Sequence, residues 1–61
     1  MKVRELLMVL PITTVRVFRD WTTGEDLNYY DMDREHKESL REWEVVVASP
    51  LSKAVVEIFV R

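Results

Sequence analysis

Cysteine is absent from this chain, and glycine and histidine occur once each. Without cysteine there can be no disulfide, no thiolate metal ligand and no cysteine nucleophile. A single glycine cannot form the glycine-rich loop that holds phosphate groups in nucleotide-binding proteins. The single histidine, His36, would need an oriented nucleophile or carboxylate for catalysis, or further ligands for a metal site. We therefore expect no enzymatic activity, no cofactor and no metal.

The chain also lacks an excess of basic residues and any long hydrophobic run. Its 9 Lys and Arg residues stand against 11 Asp and Glu residues, which gives a formal net charge of −2. Nucleic-acid binding usually depends on a basic excess, so this class of partner is disfavoured. No apolar run approaches the ~20 residues that cross a membrane, and Arg4 and Glu5 interrupt the apolar N-terminus so that it does not fit a signal peptide. We expect a cytoplasmic protein with no membrane partner and no small-molecule substrate.

Small size limits how the chain can be stabilised. With 61 residues, 48% of them hydrophobic, it is expected to form a single domain over residues 1–61. A domain of this size lies near the lower limit at which one hydrophobic core suffices without disulfides or metals. Good packing, helix caps or a second copy of the chain must therefore supply stability, and a homodimer and a monomer are about equally expected.

The first half of the chain predicts a helix and a hairpin. Apolar residues recur at i, i+3, i+4 and i+7 from Val3 to Leu10, which indicates a helix over residues 2–10 that Pro11 ends. Runs of β-branched and aromatic residues predict strands at 14–20 and 26–32. The only glycine, Gly24, lies between them and suits a tight turn with a positive φ.

Loop length decides which residues of this hairpin would face each other. With an even-numbered loop, Phe18 would lie opposite Tyr29 and Arg16 opposite Asp31, which gives an aromatic pair and an opposite-charge pair. A three-residue loop would instead place Arg16 across from Tyr30 and lose both pairs. The even-numbered loop is therefore the preferred prediction.

The second half of the chain predicts another helix and another hairpin. Asp33 is a suitable N-cap for a helix over residues 33–42, whose acidic first turn and basic last turn suit the helix dipole. Strands are predicted at 43–48 and 54–60, joined by a four-residue loop at 49–52 or 50–53. The second of these loops gathers one wholly apolar face, which is the predicted core: Trp43, Val45, Val47, Val56, Ile58 and Val60.

The acidic run at residues 31–42 is the most motif-like feature of the chain. Asp31, Asp33, Glu35 and Glu42 match acidic positions of a twelve-residue calcium loop. Such a loop needs glycine at its sixth position, where His36 stands, and it needs long flanking helices. A solvated, capped helix is therefore the preferred interpretation.

The reverse faces of the two predicted hairpins are too apolar for ordinary solvent surface. They would be covered if the sheet curled into a partial barrel or if the second helix folded over them. Otherwise they form an exposed patch that meets a protein partner or a second copy of the chain. Trp21, beside the turn, could add an aromatic anchor. The residues predicted to contact a partner are Arg16, Phe18, Trp21, Tyr29, Val46, Val55 and Phe59.

A second functional hypothesis comes from basic and aromatic residues on the first hairpin, which can clasp and stack single-stranded nucleic acid. Arg16 is already matched to Asp31 in the preferred register, and further acidic residues surround the same hairpin. The residues that motivate this hypothesis are Arg16, Phe18, Arg19, Tyr29 and Tyr30.

The stretch KVRELLMVLPITTVRVFRDWTTGEDL, the acidic helix that follows and the terminal stretch EVVVASPLSKAVVEIFVR are similar to a loose class of very small proteins of phages and integrative elements of Gram-positive bacteria. Proteins of this class show a short N-terminal helix, a V-x-V-x-D strand, a turn with T-G-E, a helix and a closing V-x-I-x-V strand. The resemblance implies a bacterial cytosolic setting and a non-enzymatic accessory role. It supplies no functional residues.

Together these features predict an α+β fold. An N-terminal amphipathic helix would pack on a four-stranded, mainly antiparallel and strongly twisted sheet, with a short helix between strands two and three. The leading functional hypothesis is a small protein-interaction module of a phage or mobile element that modulates a host protein. An accessory protein for single-stranded nucleic acid is the second hypothesis, and a purely structural homodimer is the third.

Overall fold

Three strands, two short α-helices and one turn of 3-10 helix form the structure, a computed structural model that describes residues 1–61. The central strand pairs with one neighbour in parallel and with the other in antiparallel orientation, in the order β1-β3-β2. Neither α-helix has the length and hydrophobicity that crossing a lipid bilayer requires. The elements are α1 (Val3–Val9), β1 (Val15–Asp20), the 3-10 turn (Tyr29–Asp31), α2 (Arg34–Leu40), β2 (Val45–Pro50) and β3 (Val55–Val60).

The predicted four-stranded, mainly antiparallel sheet of two hairpins is wrong, because the sheet has three strands and is mixed. Residues 26–32 form no strand. Asp26 makes one isolated bridge to Arg19, and Asn28 then adopts a left-handed conformation with φ of 52°. A left-handed residue cannot continue an extended strand, and the chain turns into the 3-10 helix directly after it. Helix α2 therefore connects β1 to β2.

The second hairpin is present, but its register differs from the predicted one. Val47 lies opposite Phe59 and Ala48 opposite Ile58, and a bulge between Val45 and Val47 shifts the pairing. A shift by an odd number of residues turns the side chains of a strand to the other face of the sheet. Val47 therefore leaves the predicted core face, whereas Val45, before the bulge, still packs against the core.

Strand β3 takes the central position because its sequence, VVEIFV, is apolar on both faces. The parallel pairing with β1 follows from where residues 21–44 begin and end. Trp21 N donates to the Val60 carbonyl at 2.8 Å, and Glu44 and Arg61 exchange backbone hydrogen bonds at 2.9 and 3.0 Å. Strand β2 thus starts at the end of the sheet where β1 stops, and it runs antiparallel to β1. Strand β3 runs antiparallel to β2 and is therefore parallel to β1.

The hydrophobic core lies on one face of the sheet. Helix α1 contributes Val3 to it and helix α2 contributes Leu40, so both helices lie on the same side. The buried residues are Val3, Phe18, Leu40, Val56, Ile58 and Val60, and the half-buried residues packed around them are Leu6, Leu7, Leu10, Leu27, Tyr29, Met32, Trp43 and Val45.

The beginning of α1 is tied to the segment that leads into β2. Val3 N donates to the Trp43 carbonyl at 2.9 Å, and Val45 N donates to the Met1 carbonyl at 2.8 Å. Lys2 and Glu44 form an antiparallel bridge between these two bonds. Because these hydrogen bonds fix the start of the helix, Val3 lies in the core with no exposed surface.

A short irregular segment covers the outer edge of β1. Leu27 N donates to the Phe18 carbonyl at 2.8 Å, and Asp20 N donates to the Glu25 carbonyl at 2.9 Å. Further along the edge, the Tyr30 hydroxyl accepts a hydrogen bond from Arg16 N at 2.9 Å. A side-chain oxygen therefore stands where a fourth strand would have presented a carbonyl.

Helix α2 begins with a capping interaction between two exposed side chains. Asp33 Oδ1 accepts a hydrogen bond from His36 N at 2.8 Å and lies 2.7 Å from His36 Nδ1. The backbone and ring hydrogen bonds from His36 lower the pKa of Asp33 below its usual 3.8. The hydrogen bond to Asp33 and the negative charge of its carboxylate raise the pKa of His36 above its usual 6.5.

We expect Tyr30→Phe to destabilise the fold by about 0.5–1.5 kcal/mol, because it leaves the Arg16 N–H at the edge of β1 without its protein acceptor. Urea denaturation followed by circular dichroism measures the change in the free energy of unfolding. Tyr29→Phe is the matched control, since the contacts of Tyr29 are made through its ring. Equal unfolding midpoints for Tyr30→Phe and the wild type would contradict this role.

The pair of Asp33 and His36 should stabilise α2 most between pH 3.8 and pH 6.5. The contribution of His36, whose folded pKa is raised, is lost as the pH rises through that folded pKa. The contribution of Asp33, whose folded pKa is lowered, is lost as the pH falls through that folded pKa. An NMR titration of His36 should give a pKa above 6.5 that falls in Asp33→Asn, which keeps a good N-cap but removes the charge. The same His36 pKa in both proteins would show that the pair has no effect.

Candidate protein-interaction surface

The sheet face opposite the core is the candidate site, and we call it the open face. Side chains alternate along each strand, so the residues between the core positions point to this side. Five of its eight strand residues are β-branched or aromatic, which is more apolar than a solvated sheet face requires. The strand residues of the open face are Val15, Val17, Arg19, Val47, Ser49, Val55, Glu57 and Phe59.

No other element covers the open face. Both helices pack on the core side, and none of the residues packed around the core comes from this face. Val15 is 44% exposed and Val47 is 41% exposed, while Val17, Val55 and Phe59 are half-buried. The open face is therefore a largely apolar surface in contact with solvent.

One ion pair lies within the open face. Arg19 Nε donates to Glu57 Oε2 at 2.8 Å across the β1–β3 pair, and Arg19 Nη1 donates to the Gly24 carbonyl at 3.2 Å. The two side chains are only 34% and 21% exposed. The open face therefore carries one positive and one negative charge that already neutralise each other.

Trp21 extends the open face beyond the end of β1. Its ring meets the ring of Phe59 edge to face, with centroids 5.8 Å apart and an interplanar angle of 87°. A turn holds it there: Gly24 N donates to the Asp20 carbonyl at 2.7 Å, and the φ of 76° at Gly24 suits only glycine without strain. Half of the Trp21 surface is exposed, so the ring is an aromatic anchor available to a partner.

The structure brings only part of the predicted contact set together. Trp21, Val55 and Phe59 lie on the open face. Val46 is the half-buried extra residue at the bulge in β2.

The other three predicted contact residues lie on the core side of the sheet. Phe18 has no exposed surface, so it cannot touch a partner, and Tyr29 packs on it with ring centroids 4.8 Å apart. Arg16 also lies on this side, where its Nη2 donates to the Pro11 carbonyl at 3.5 Å and its Nε is enclosed without a partner. The predicted ion pair of Arg16 with Asp31 does not form, because Asp31 belongs to the 3-10 turn.

Sequence reasoning missed Val15, Val17 and Val47, which supply much of the open face. The predicted register of the second hairpin placed Val47 in the core, and Phe18 was predicted to contact a partner instead. In the parallel pairing Phe18 lies beside Ile58, the central buried residue of β3. The available signal was size, since the larger Phe18 gains more than a valine from full burial.

A second apolar surface lies on the outside of α1. Met8 is 85% exposed and Val9 is 71% exposed. Beside them, Arg4, Leu7, Met8 and Arg41 line an open cleft of about 310 Å³. Arg4 lies 3.6 Å from Glu42, and Arg41 has no acidic partner within 4.0 Å, so this surface is basic as well as apolar.

His36 lies at the rim of a shallow cleft of about 90 Å³, beside Ser39 and the ring of Trp43. Its ring is paired with Asp33 and is exposed. No three His, Cys, Asp or Glu side chains are placed where they could share a metal ion. The acidic run at residues 31–42 is instead divided between the 3-10 turn, helix α2 and the turn that follows it.

The chain matches no protein-family model, no curated protein and no solved structure. Its function must therefore be inferred from the chemistry of its own surfaces.

Proposed function

We propose that this protein is a small non-enzymatic interaction module that binds a protein partner through its open face. The observation that carries the proposal is a sheet face of β-branched and aromatic residues that no other element covers. Exposed apolar surface on a small protein marks contact sites, because burying it in a complex removes it from water. The module would act in the bacterial cytoplasm, as an accessory protein of a phage or mobile element.

Aromatic residues give the open face an energetic centre. Trp21 and Phe59 form a T-shaped pair at one end of the sheet, and Val47 lies directly opposite Phe59 on the neighbouring strand. A few large side chains, Trp among them, supply most of the binding energy in many interfaces, and the contacts around them exclude water. The complementary surface on the partner should be apolar and carry little charge, because the two charges of this face are paired with each other.

The edges of the sheet are less suited to binding than its face. The outer edge of β1 is covered by residues 25–30, whose backbone and Tyr30 hydroxyl pair with it. The outer edge of β2 is bridged by Lys2 at one end, has a bulge, and finishes at Pro50, which has no N–H to donate. Both edges therefore disfavour addition of a partner strand. A partner can bind through side-chain contacts on the open face.

Binding of single-stranded nucleic acid is not part of the proposed function, because the surface it would need is not formed. Arg19 is neutralised by Glu57 at 2.8 Å, and Arg16 and Tyr29 lie on the core side of the sheet. The basic and aromatic residues that motivated that hypothesis therefore do not share one exposed surface. A groove that binds single-stranded nucleic acid needs unpaired cationic side chains along the phosphate backbone, beside aromatic rings on which the bases stack.

A pair of valine substitutions tests the proposal. Val47→Lys places a charge on the open face, and Val9→Lys makes the same change on the outer side of α1, where the valine is more exposed. Tagged wild-type protein should capture a protein from a Gram-positive bacterial lysate that mass spectrometry identifies. The purified partner should then bind Val47→Lys at least about tenfold more weakly in calorimetry and bind Val9→Lys like the wild type.

Thermal unfolding of both variants shows whether each substitution leaves the fold intact. A partner that binds Val47→Lys as tightly as the wild type, or that is lost with Val9→Lys, would contradict a binding role for the open face.

A further inference from the structure

We propose that the occupant of the open face is a second copy of this chain, so that two sheets pack face to face in a two-fold symmetric dimer. This inference rests on the proposed function, since it assigns a partner to the same surface. It follows from the charge and the area of the face.

Charge makes the open face compatible with itself. In a two-fold symmetric interface, each patch meets an identical patch, so a face with net charge would repel its own copy. Arg19 and Glu57 are paired within one copy at 2.8 Å, and Arg19 also donates to the Gly24 carbonyl. Because both charges are already bonded and largely shielded, a second open face would meet a neutral surface.

The outer surface of α1 lacks this property. Arg4 and Arg41 flank its exposed Met8, and only Arg4 has an acidic neighbour, Glu42 at 3.6 Å. Two copies of that surface would bring four guanidinium groups together. Like charges in close contact cost several kcal/mol, so self-association is expected on the sheet face rather than on the helix.

Area places the dimer at the weak end of specific interfaces. Three strands ~4.8 Å apart, each six residues long at ~3.3 Å per residue, give a flat footprint of about 290 Å² per copy. Two copies together give a flat footprint of about 580 Å². Side-chain relief and Trp21 raise the buried surface towards ~1,000 Å², the smallest area expected of a specific interface. We expect a dissociation constant of about 10–100 μM.

The single copy has a small core. Only six of its residues are buried, and its accessible area of 4433 Å² is close to the value of about 4,200 Å² expected for a folded monomer of its mass. Sheet-on-sheet packing at about 10 Å separation and about −30° would bury Val17, Val55 and Phe59 against their counterparts and give the chain a second core layer.

Sedimentation equilibrium over about 10 μM to 1 mM tests the dimer. The average mass of the wild type should rise from 7.3 kDa towards twice that value. Val47→Lys should weaken the dimer at least tenfold and Val9→Lys should leave it unchanged. The mass at fixed concentration should not fall when NaCl is raised from about 50 to about 500 mM, because no unpaired charges meet.

A second variant and NMR spectra of the wild type also test the dimer. If Val47→Lys unfolds, Trp21→Ala removes an exposed anchor outside the strands and should weaken the dimer in the same way. Concentration-dependent amide shifts in wild-type NMR spectra should map to the open-face residues of β1, β2 and β3.

A wild type that stays monomeric at 1 mM, or a dimer that Val9→Lys abolishes, would overturn the proposed dimer. In the first case, a purified partner that Val47→Lys fails to bind would still support the interaction module. Failure of both experiments would remove the role of the open face altogether.

Discussion

A three-stranded sheet has two faces, and this chain has helices enough to cover one of them. Helices α1 and α2 are seven residues each, and both pack on the side of Phe18 and Ile58. The distribution of buried and exposed apolar side chains follows from that one-sided packing. The covered side holds all six buried residues, while the apolar side chains of the other side are half-buried or exposed. Residues 21–44 connect β1 to β2 and close the core, and no helix is left to cover the second face.

The edges of the sheet are less open to another polypeptide than its second face. An exposed strand edge offers unpaired backbone groups and invites another strand. Here the edge of β1 is occupied by residues 25–30, and β2 is bridged by Lys2 at one end and finishes at Pro50 at the other. The face offers no backbone groups, but it has an aromatic pair, surrounding valines and a satisfied ion pair. Association through such a surface depends on burial of apolar area, with little electrostatic steering.

Local features of the fold were accessible from the sequence. The apolar stripe from Val3 to Leu10 and the cap at Asp33 indicate helices at the positions where α1 and α2 occur. Three core residues of β3, namely Val56, Ile58 and Val60, also belong to the predicted core face. These features depend on residue spacing and on hydrogen bonds within a few residues, both of which the sequence contains directly. Of the candidate site, Trp21, Val55 and Phe59 were predicted as contact residues and lie on the open face, whereas Phe18 is in the core.

By itself, the sequence determined two short helices, strands rich in valine, and too many apolar side chains for one small core. Only the tertiary structure decided which side of each strand faces that core. Residues 26–32 have the residue pattern of a strand, yet Asn28 is left-handed and the Tyr30 hydroxyl takes the place of a strand carbonyl at the edge of β1. Strand β1 pairs with the last strand, β3, instead. The physical reason is that strand pairing is non-local. Alternation of side chains along a strand identifies its two faces, but not which of them is buried. That choice depends on a partner strand distant in sequence and, in β2, on one bulge.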